Sequence, residues 1–388
     1  MFPCEKKLIL EPKPGCEWAS QMVLNPAMTV DPDDPETLHM LFRATGPWRC
    51  RQIEGKPLPF PIFIGYGVSR DGGENWEFDF SRPALAPTLC YDEKELQISS
   101  PDFCPANGCI EDPRLFYFEN KLFLSVACRV FPPGPYWEHD QPDQCMPEWA
   151  KREDMPAFVR KNTTVSLLYR VELEALKEKR YEDAFSFICP LHEPNLSDNR
   201  DVFLFPRRLK INGREKIICV HRPATPAAYD GFENLRKPAI FLAAADCFED
   251  FSNGKAEQCC IHVPTEVWEA NRVGGSWAPI EVAPGEWLFP FHGKQDEKVG
   301  YTQSFMLLKE QENGFPAVTH RCKERLFYAD NAWELAGLFP TPCLFTCSGI
   351  VRPDGTLLMG YGAADSVVGL LKTDFNALLD KIRNCPVG

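Results

Sequence analysis

Long apolar runs are missing from this 388-residue chain, and with them any helix of the roughly 20 apolar residues needed to span a bilayer. Positive charge is also in short supply. A net charge of −13 at pH 7 argues against non-specific nucleic-acid binding, which depends on cations meeting phosphates, but is compatible with a local basic pocket. The 17 cysteines are odd in number, irregular in spacing and free of any Cys-x-x-Cys pair, so no disulfide framework is indicated. The seven histidines show no metal-ligand spacing, and no metal or organic cofactor is expected. Residues 1–7 lack a basic stretch leading into an apolar one, so no secretory signal is read there. Reduced cysteines, packed as small apolar residues of a cytoplasmic protein, are the expectation. Helical patterning is scarce, limited to a capped segment at 373–382 and a shorter one at 171–179.

Turn residues are abundant instead. The 36 prolines and 25 glycines punctuate short apolar segments. One unit recurs five times: an apolar strand, a tight polar turn, then a second apolar strand closing on polar residues. The turns fall at 31–36, 119–121, 212–213, 284–285 and 354–355, and the second strands run to Arg43, Arg129, His221 with Arg222, His292 and Asp365. Further strands are read at 62–68, 163–171, 239–245 and 300–308. A lone hairpin cannot bury its apolar face, whereas small sheets packed in a ring can, so an all-β radial array is expected. Asp71, in Ser69-Arg70-Asp71-Gly72-Gly73-Glu74-Asn75-Trp76, reads as a turn-shaping residue. The Pro-, acid- and Trp-rich stretch 131–161 reads as a long excursion over one face.

In such an array the polar residues near the strand ends converge on the axis: Arg43, Asp112, Arg207, Arg208, His221, Arg222, His292 and Asp365. Burying carboxylates and cations together is costly unless they pair or act. Any one of them alone is better explained as an ion pair, and His221 as a satisfied core histidine. Arg207 and Arg208 are adjacent on a strand and point to opposite faces, so only one easily reaches the axis. Trp277 fits blade packing about as well as sugar stacking.

Eight segments resemble, in order and over nearly the whole chain, the motifs of glycoside hydrolase family 130. They are Leu24-Asn25-Pro26-Ala27, Leu41-Phe42-Arg43-Ala44, Glu111-Asp112-Pro113-Arg114, Phe205-Pro206-Arg207-Arg208 and Val220-His221-Arg222-Pro223. Ala278-Pro279-Ile280, Phe291-His292-Gly293 and Tyr361-Gly362-Ala363-Ala364-Asp365 complete the set. The resemblance implies a five-bladed β-propeller, one catalytic domain over 1–388 with a short C-terminal helix. It implies inverting phosphorolysis of a β-mannoside, of manno-oligosaccharide or mannosyl-glucose type, to α-mannose 1-phosphate. Asp112 would be the proton donor, acting through the sugar's 3-hydroxyl. Asn25, Arg43, Arg114 and Asp365 would bind the mannoside. Arg208 and His292 would hold phosphate, with Arg207 and Arg222 as secondary contacts. Phosphate is already a nucleophile, so it calls for cations rather than a second carboxylate. The partners implied are a β-mannoside and inorganic phosphate, without nucleic acid or membrane, and a homo-oligomer is left open. Two departures stand out: Ile62 and Phe63 lie where an arginine often precedes the strand, and Thr164 lies where a basic residue is frequent. They keep an inverting β-mannosidase as the alternative, with a non-catalytic glycan-binding propeller as a more remote one.

Overall fold

The computed structural model describes residues 1–47, 61–100, 102–133, 146–337 and 341–387, together with the backbone of the short strands Arg51–Ile53 and Lys56–Leu58. Five antiparallel sheets follow one another along the chain as the blades of a β-propeller. Blade I pairs Met22–Val30, Leu38–Thr45, Phe63–Ser69 and Glu77–Asp79, from the axis outward. Blade II pairs Cys109–Phe118, Lys121–Arg129, Val165–Val171 and Phe185–Pro190. Blade III is built from Asn199–Leu204, Arg214–Pro223, Ile240–Ala245 and Glu257–His262, and blade IV from Arg272–Gly275, Glu286–Lys294, Tyr301–Lys309 and Ala317–Arg321. In blade V the strands Leu344–Val351, Thr356–Ala363 and Val367–Asp374 are completed by Glu5–Leu10 from the other end of the chain.

All five expected turns join paired strands. In blades III and IV, however, the first strand of the unit is only a short extension, Leu209–Ile211 or Ile280–Ala283. Pro206 and Pro279 separate these pieces from the inner strands. Proline cannot donate to a ladder, so the chain leaves the sheet there and rejoins it.

The blades pack through apolar side chains on both faces, because each sheet alone would leave half its surface in water. Phe203, Phe205, Trp287 and Phe289 form such a layer between blades III and IV, all at most 1% exposed. Trp277 belongs to the packing too: its ring meets Phe305 edge-on and lies so close to Gly349 that a Cβ there would come within 2.5 Å. Asp71 shapes its turn by accepting from the Asn75 N–H and the Ser69 hydroxyl. The terminal helix Phe375–Arg383 starts at Asp374, whose carboxylate accepts from the Ala377 N–H. A second helix, Leu173–Lys177, lies within 171–179. Of the excursion 131–161, residues 134–145 lie outside the described residues, and the rest includes short turns at Glu148–Lys151 and Ala157–Arg160. No helix among the described residues is long and apolar enough to cross a membrane.

The N-terminal strand that completes blade V also carries a buried ion pair, beside the contact of Lys6 with the more exposed Asp330 at 2.6 Å. Lys6, on the N-terminal strand, reaches Glu334 at 3.1 Å, and Glu334 is fully buried while accepting from the Tyr361 hydroxyl. Removing Lys6 alone would leave a buried carboxylate without its counter-charge, which costs about 3–5 kcal/mol. Lys6→Met should therefore lower the urea midpoint markedly. Adding Glu334→Gln should recover part of the loss, and equilibrium unfolding of both variants checks this.

Candidate active site

The inner strands of blades I, II and III each carry a bulge near the start of the strand. Pairing registers shift between Leu24 and Ala27, Glu111 and Arg114, and Arg200 and Phe203. At each bulge sits a residue with positive φ that is not glycine: Asn25 at 48°, Asp112 at 50° and Asp201 at 57°. Asn and Asp are the side chains that best tolerate this left-handed region. Gly362 faces Asn25 so closely that a Cβ would stand 2.0 Å from its Oδ1.

Asp112 is the centre of one polar cluster. Its Oδ1 accepts from Asn25 Nδ2 at 2.7 Å and from Arg43 at 3.0 Å. Arg43 also lies 3.1 Å from Glu111, which Arg200 approaches from the other side at 3.4 Å. Arg200 donates in addition to the Thr164 hydroxyl at 2.9 Å, so a guanidinium occupies the place where Thr164 itself offers no charge. Burial opposes ionisation of Asp112. The charges of Arg43, Arg200 and Arg114, with the Asn25 amide, outweigh it and hold the carboxyl below its ordinary range.

Asp201 organises a second cluster, completely buried. Arg114 donates to its Oδ1 at 2.8 Å, and Arg222 donates to its Oδ2. His292 Nε2 lies 3.2 Å from Oδ2 and has no hydrogen-bond partner. Gly274 makes this approach possible, since a Cβ would meet Asp201 at 2.3 Å and His292 at 2.6 Å. Burial lowers the pKa of His292 and so favours its neutral form, against the pull of Asp201. Against burial, the guanidinium groups of Arg222 and Arg114 hold Asp201 well below the usual carboxylate range. Arg114 links the two clusters by donating to the Asp112 main-chain carbonyl at 3.1 Å. Asp365, in a left-handed turn after Ala363, faces the same region. Burial raises its pKa, with Asp112 adding to the effect and Arg43 opposing it.

A family model described as β-1,4-mannooligosaccharide phosphorylase, of glycoside hydrolase family 130, matches residues 59–384. The chain belongs to glycoside hydrolase family 130. A β-1,4-mannooligosaccharide phosphorylase from Ruminococcus albus is 27% identical over 187 residues, 48% of this chain and 51% of that protein, so the match spans about half the relative's length. Among solved structures, β-1,2-mannobiose phosphorylase from Listeria innocua, in complex with β-1,2-mannobiose, shares the fold. It has a TM-score of 0.63 at 18% identity, over 97% of each chain. A mannose phosphorylase from Leishmania mexicana, in complex with a phosphate ion, gives a TM-score of 0.56 at 11% identity, over 100% of this chain and 92% of that one.

The propeller of this family-130 chain brings Asn25, Arg43, Asp112, Arg114, Arg222, His292 and Asp365 into one connected region. It does not bring Arg207 and Arg208 there, which corrects their expected place at the phosphate. Arg207 pairs with Glu281 and Glu310 and stacks on Trp287, and Arg208 pairs with Glu119. Glu119 ends the hairpin whose inner strand carries Asp112, seven residues away, which is roughly 20 Å along a strand. Pro206 has already carried the chain past the site. His221 is a satisfied core histidine, bonded to Asn199 and Gln258, and burial lowers its pKa to about 3.

Asp201 and Arg200 are the site residues that sequence reasoning missed. The available signal was the match of Arg200-Asp201-Val202 to Glu111-Asp112-Pro113 as a second acidic residue opening an inner strand. Asp365 yields a signed expectation. A raised folded pKa means that ionised Asp365 costs stability, a cost absent below the ordinary value of 3.8 and growing as pH rises through the folded pKa. Asp365→Asn should thus raise Tm at pH 7 and give no comparable gain below pH 3.8, as differential scanning calorimetry at both pH values would register.

Proposed function

We propose that the chain is an inverting phosphorylase of a β-mannoside, with Asp112 as proton donor and inorganic phosphate as nucleophile. The observation that carries this reading is the charge pattern around Asp112. An inverting hydrolase needs a second carboxylate about 6.5–9.5 Å from the acid, free to activate water. Here the neighbouring Glu111 is held between two arginines and Asp201 is engaged by Arg114 and Arg222, with His292 beside it. Four arginines, Arg43, Arg114, Arg200 and Arg222, share this region with its carboxyl groups, and guanidinium groups suit a dianionic nucleophile.

Arg200 takes the phosphate role expected of Arg208. Its side chain is 25% exposed, against 11% or less for Arg43, Arg114 and Arg222, so its guanidinium is the more accessible. Arg129 is a second contact: its charge and that of Arg200 both act on Asp198, and its Nε has no hydrogen-bond partner. Arg222 and His292 back the pocket through Asp201. Asn25, Arg43, Arg114 and Asp365 hold the mannoside.

In the free protein Asp112 is a carboxylate, whereas a donor must carry a proton. Phosphate itself supplies the change: its negative charge beside Arg43 and Arg200 offsets the field that depresses Asp112, and raises its pKa. The carboxyl then passes its proton, through the sugar's 3-hydroxyl, to the departing glycosidic oxygen. Phosphate attacks C1 from the opposite face as that C–O bond breaks, giving α-mannose 1-phosphate.

Incubation with β-1,2- and β-1,4-mannobiose should release mannose 1-phosphate only when phosphate is present. Free mannose released at the same rate without phosphate would replace this reading with the mannosidase. Asp112→Asn should lower kcat about 10²–10⁴-fold. Arg200→Ala should raise the KM for phosphate by about 10- to 150-fold, the equivalent of losing a charge-assisted hydrogen bond, while the mannoside KM changes little. Arg208→Ala should leave both within about twofold.

A further inference from the structure

Cys322 and Cys385 bring their sulfurs to 3.1 Å where blade IV meets the C-terminal segment. Among the described cysteines, all free thiols, this is the one pair in sulfur–sulfur contact. The backbone on both sides is held in place. After the terminal helix, the chain runs beside the outer strand of blade IV, Ala317–Arg321. The Arg321 N–H donates to the Cys385 carbonyl at 2.8 Å, the Val387 N–H donates to the Thr319 carbonyl at 3.0 Å, and His320 bridges Pro386. Cys385 itself donates to the Ile382 carbonyl at 2.9 Å. Cys322 is fully buried and Cys385 is half-buried, so one thiol is accessible and the other waits behind it.

We propose that Cys322 and Cys385 form a reversible disulfide site that staples the terminal helix to blade IV. A covalent S–S bond of about 2.05 Å requires the sulfurs to approach by about 1 Å, within reach of small side-chain rotations. The oxidant class is a low-molecular-weight disulfide such as oxidised glutathione. The Cys385 thiolate attacks one sulfur of that disulfide, forming a mixed disulfide and releasing one glutathione thiolate. The Cys322 sulfur then attacks Cys385 Sγ, its proton leaving with the second glutathione. Two protein thiols are oxidised and one glutathione disulfide is reduced to two thiols. Burial raises the Cys322 thiol to about 12, which makes it the slower, resolving partner.

The consequence is structural. Cys322 and Cys385 are 63 positions apart, and the loop they close contains the strands Leu344–Val351, Thr356–Ala363 and Val367–Asp374 of blade V. That blade is otherwise closed on the ring by the N-terminal strand, without a covalent bond. A disulfide would tie it to blade IV as well, shrinking the unfolded ensemble.

Folded protein treated with oxidised glutathione, then alkylated and digested without reductant, should yield a Cys322–Cys385 cross-linked peptide lighter by two hydrogens. Its Tm should rise by roughly 2–5 °C over the reduced form and fall back with dithiothreitol. Cys385→Ser, at the half-buried position, should fold, fail to cross-link and lose the redox-dependent shift. Glutathione remaining on Cys385, cross-linking to a different cysteine, or a cross-link without any Tm change would each overturn the proposal. The readouts are mass and melting, so the outcome is independent of whether the axial site phosphorolyses or hydrolyses.

Discussion

Inner strands of a propeller send their side chains alternately against the two flanking blades, so an unbroken ladder aims none of them along the axis. The bulges of blades I, II and III break that alternation. Each inserts a residue outside the ladder, turned into the left-handed region at roughly 1–2 kcal/mol for an ordinary side chain. Asn25, Asp112 and Asp201 reduce this cost by their residue type. Pro26 and Pro113 follow two of them without penalty, because a bulge residue has no ladder hydrogen bond for proline to lose. One local device, repeated in three blades, therefore places an amide and two carboxylates where arginines from several blades meet.

The two carboxylates then diverge in character because their partners differ. Asp201 is enclosed by Arg114, Arg222 and His292 and serves as a fixed counter-charge. Asp112 is held by one amide and one guanidinium, and Arg43 is shared with Glu111. Fewer and shared partners leave its proton affinity open to change by a ligand. Arg114 joins the clusters through the Asp112 backbone, so the rigid half of the site sets the position of the responsive half. Buried ion pairs are weak sources of net stability, and their arrangement here is better understood as fixing geometry.

The same contrast between local and non-local control runs through the reading of the chain. The five turns, the alternating apolar segments and the Asp71 hairpin were legible because each is set by residues within a few positions of one another. Asp112 was legible because the contiguous Glu111-Asp112-Pro113-Arg114 segment resembles a family motif and lies beside a hairpin strand. Asp201 lacks the proline that marks the other two bulges, and nothing beside Arg200 reveals that its partners are Glu111 and Thr164, in another blade.

Arg207 and Arg208 show the limit most clearly. Their type suits phosphate, and the resemblance of Phe205-Pro206-Arg207-Arg208 to a family motif implied a place beside it. Which end of a blade a residue occupies depends on where its strand starts and stops, and Pro206 shifts both arginines to the far end, beside Glu119 and Glu281. The sequence by itself determined the blades, their turns and the residue at the centre. Only the tertiary structure decided which cations surround that residue, because ion pairs between blades join positions tens to hundreds of residues apart and leave no periodic trace.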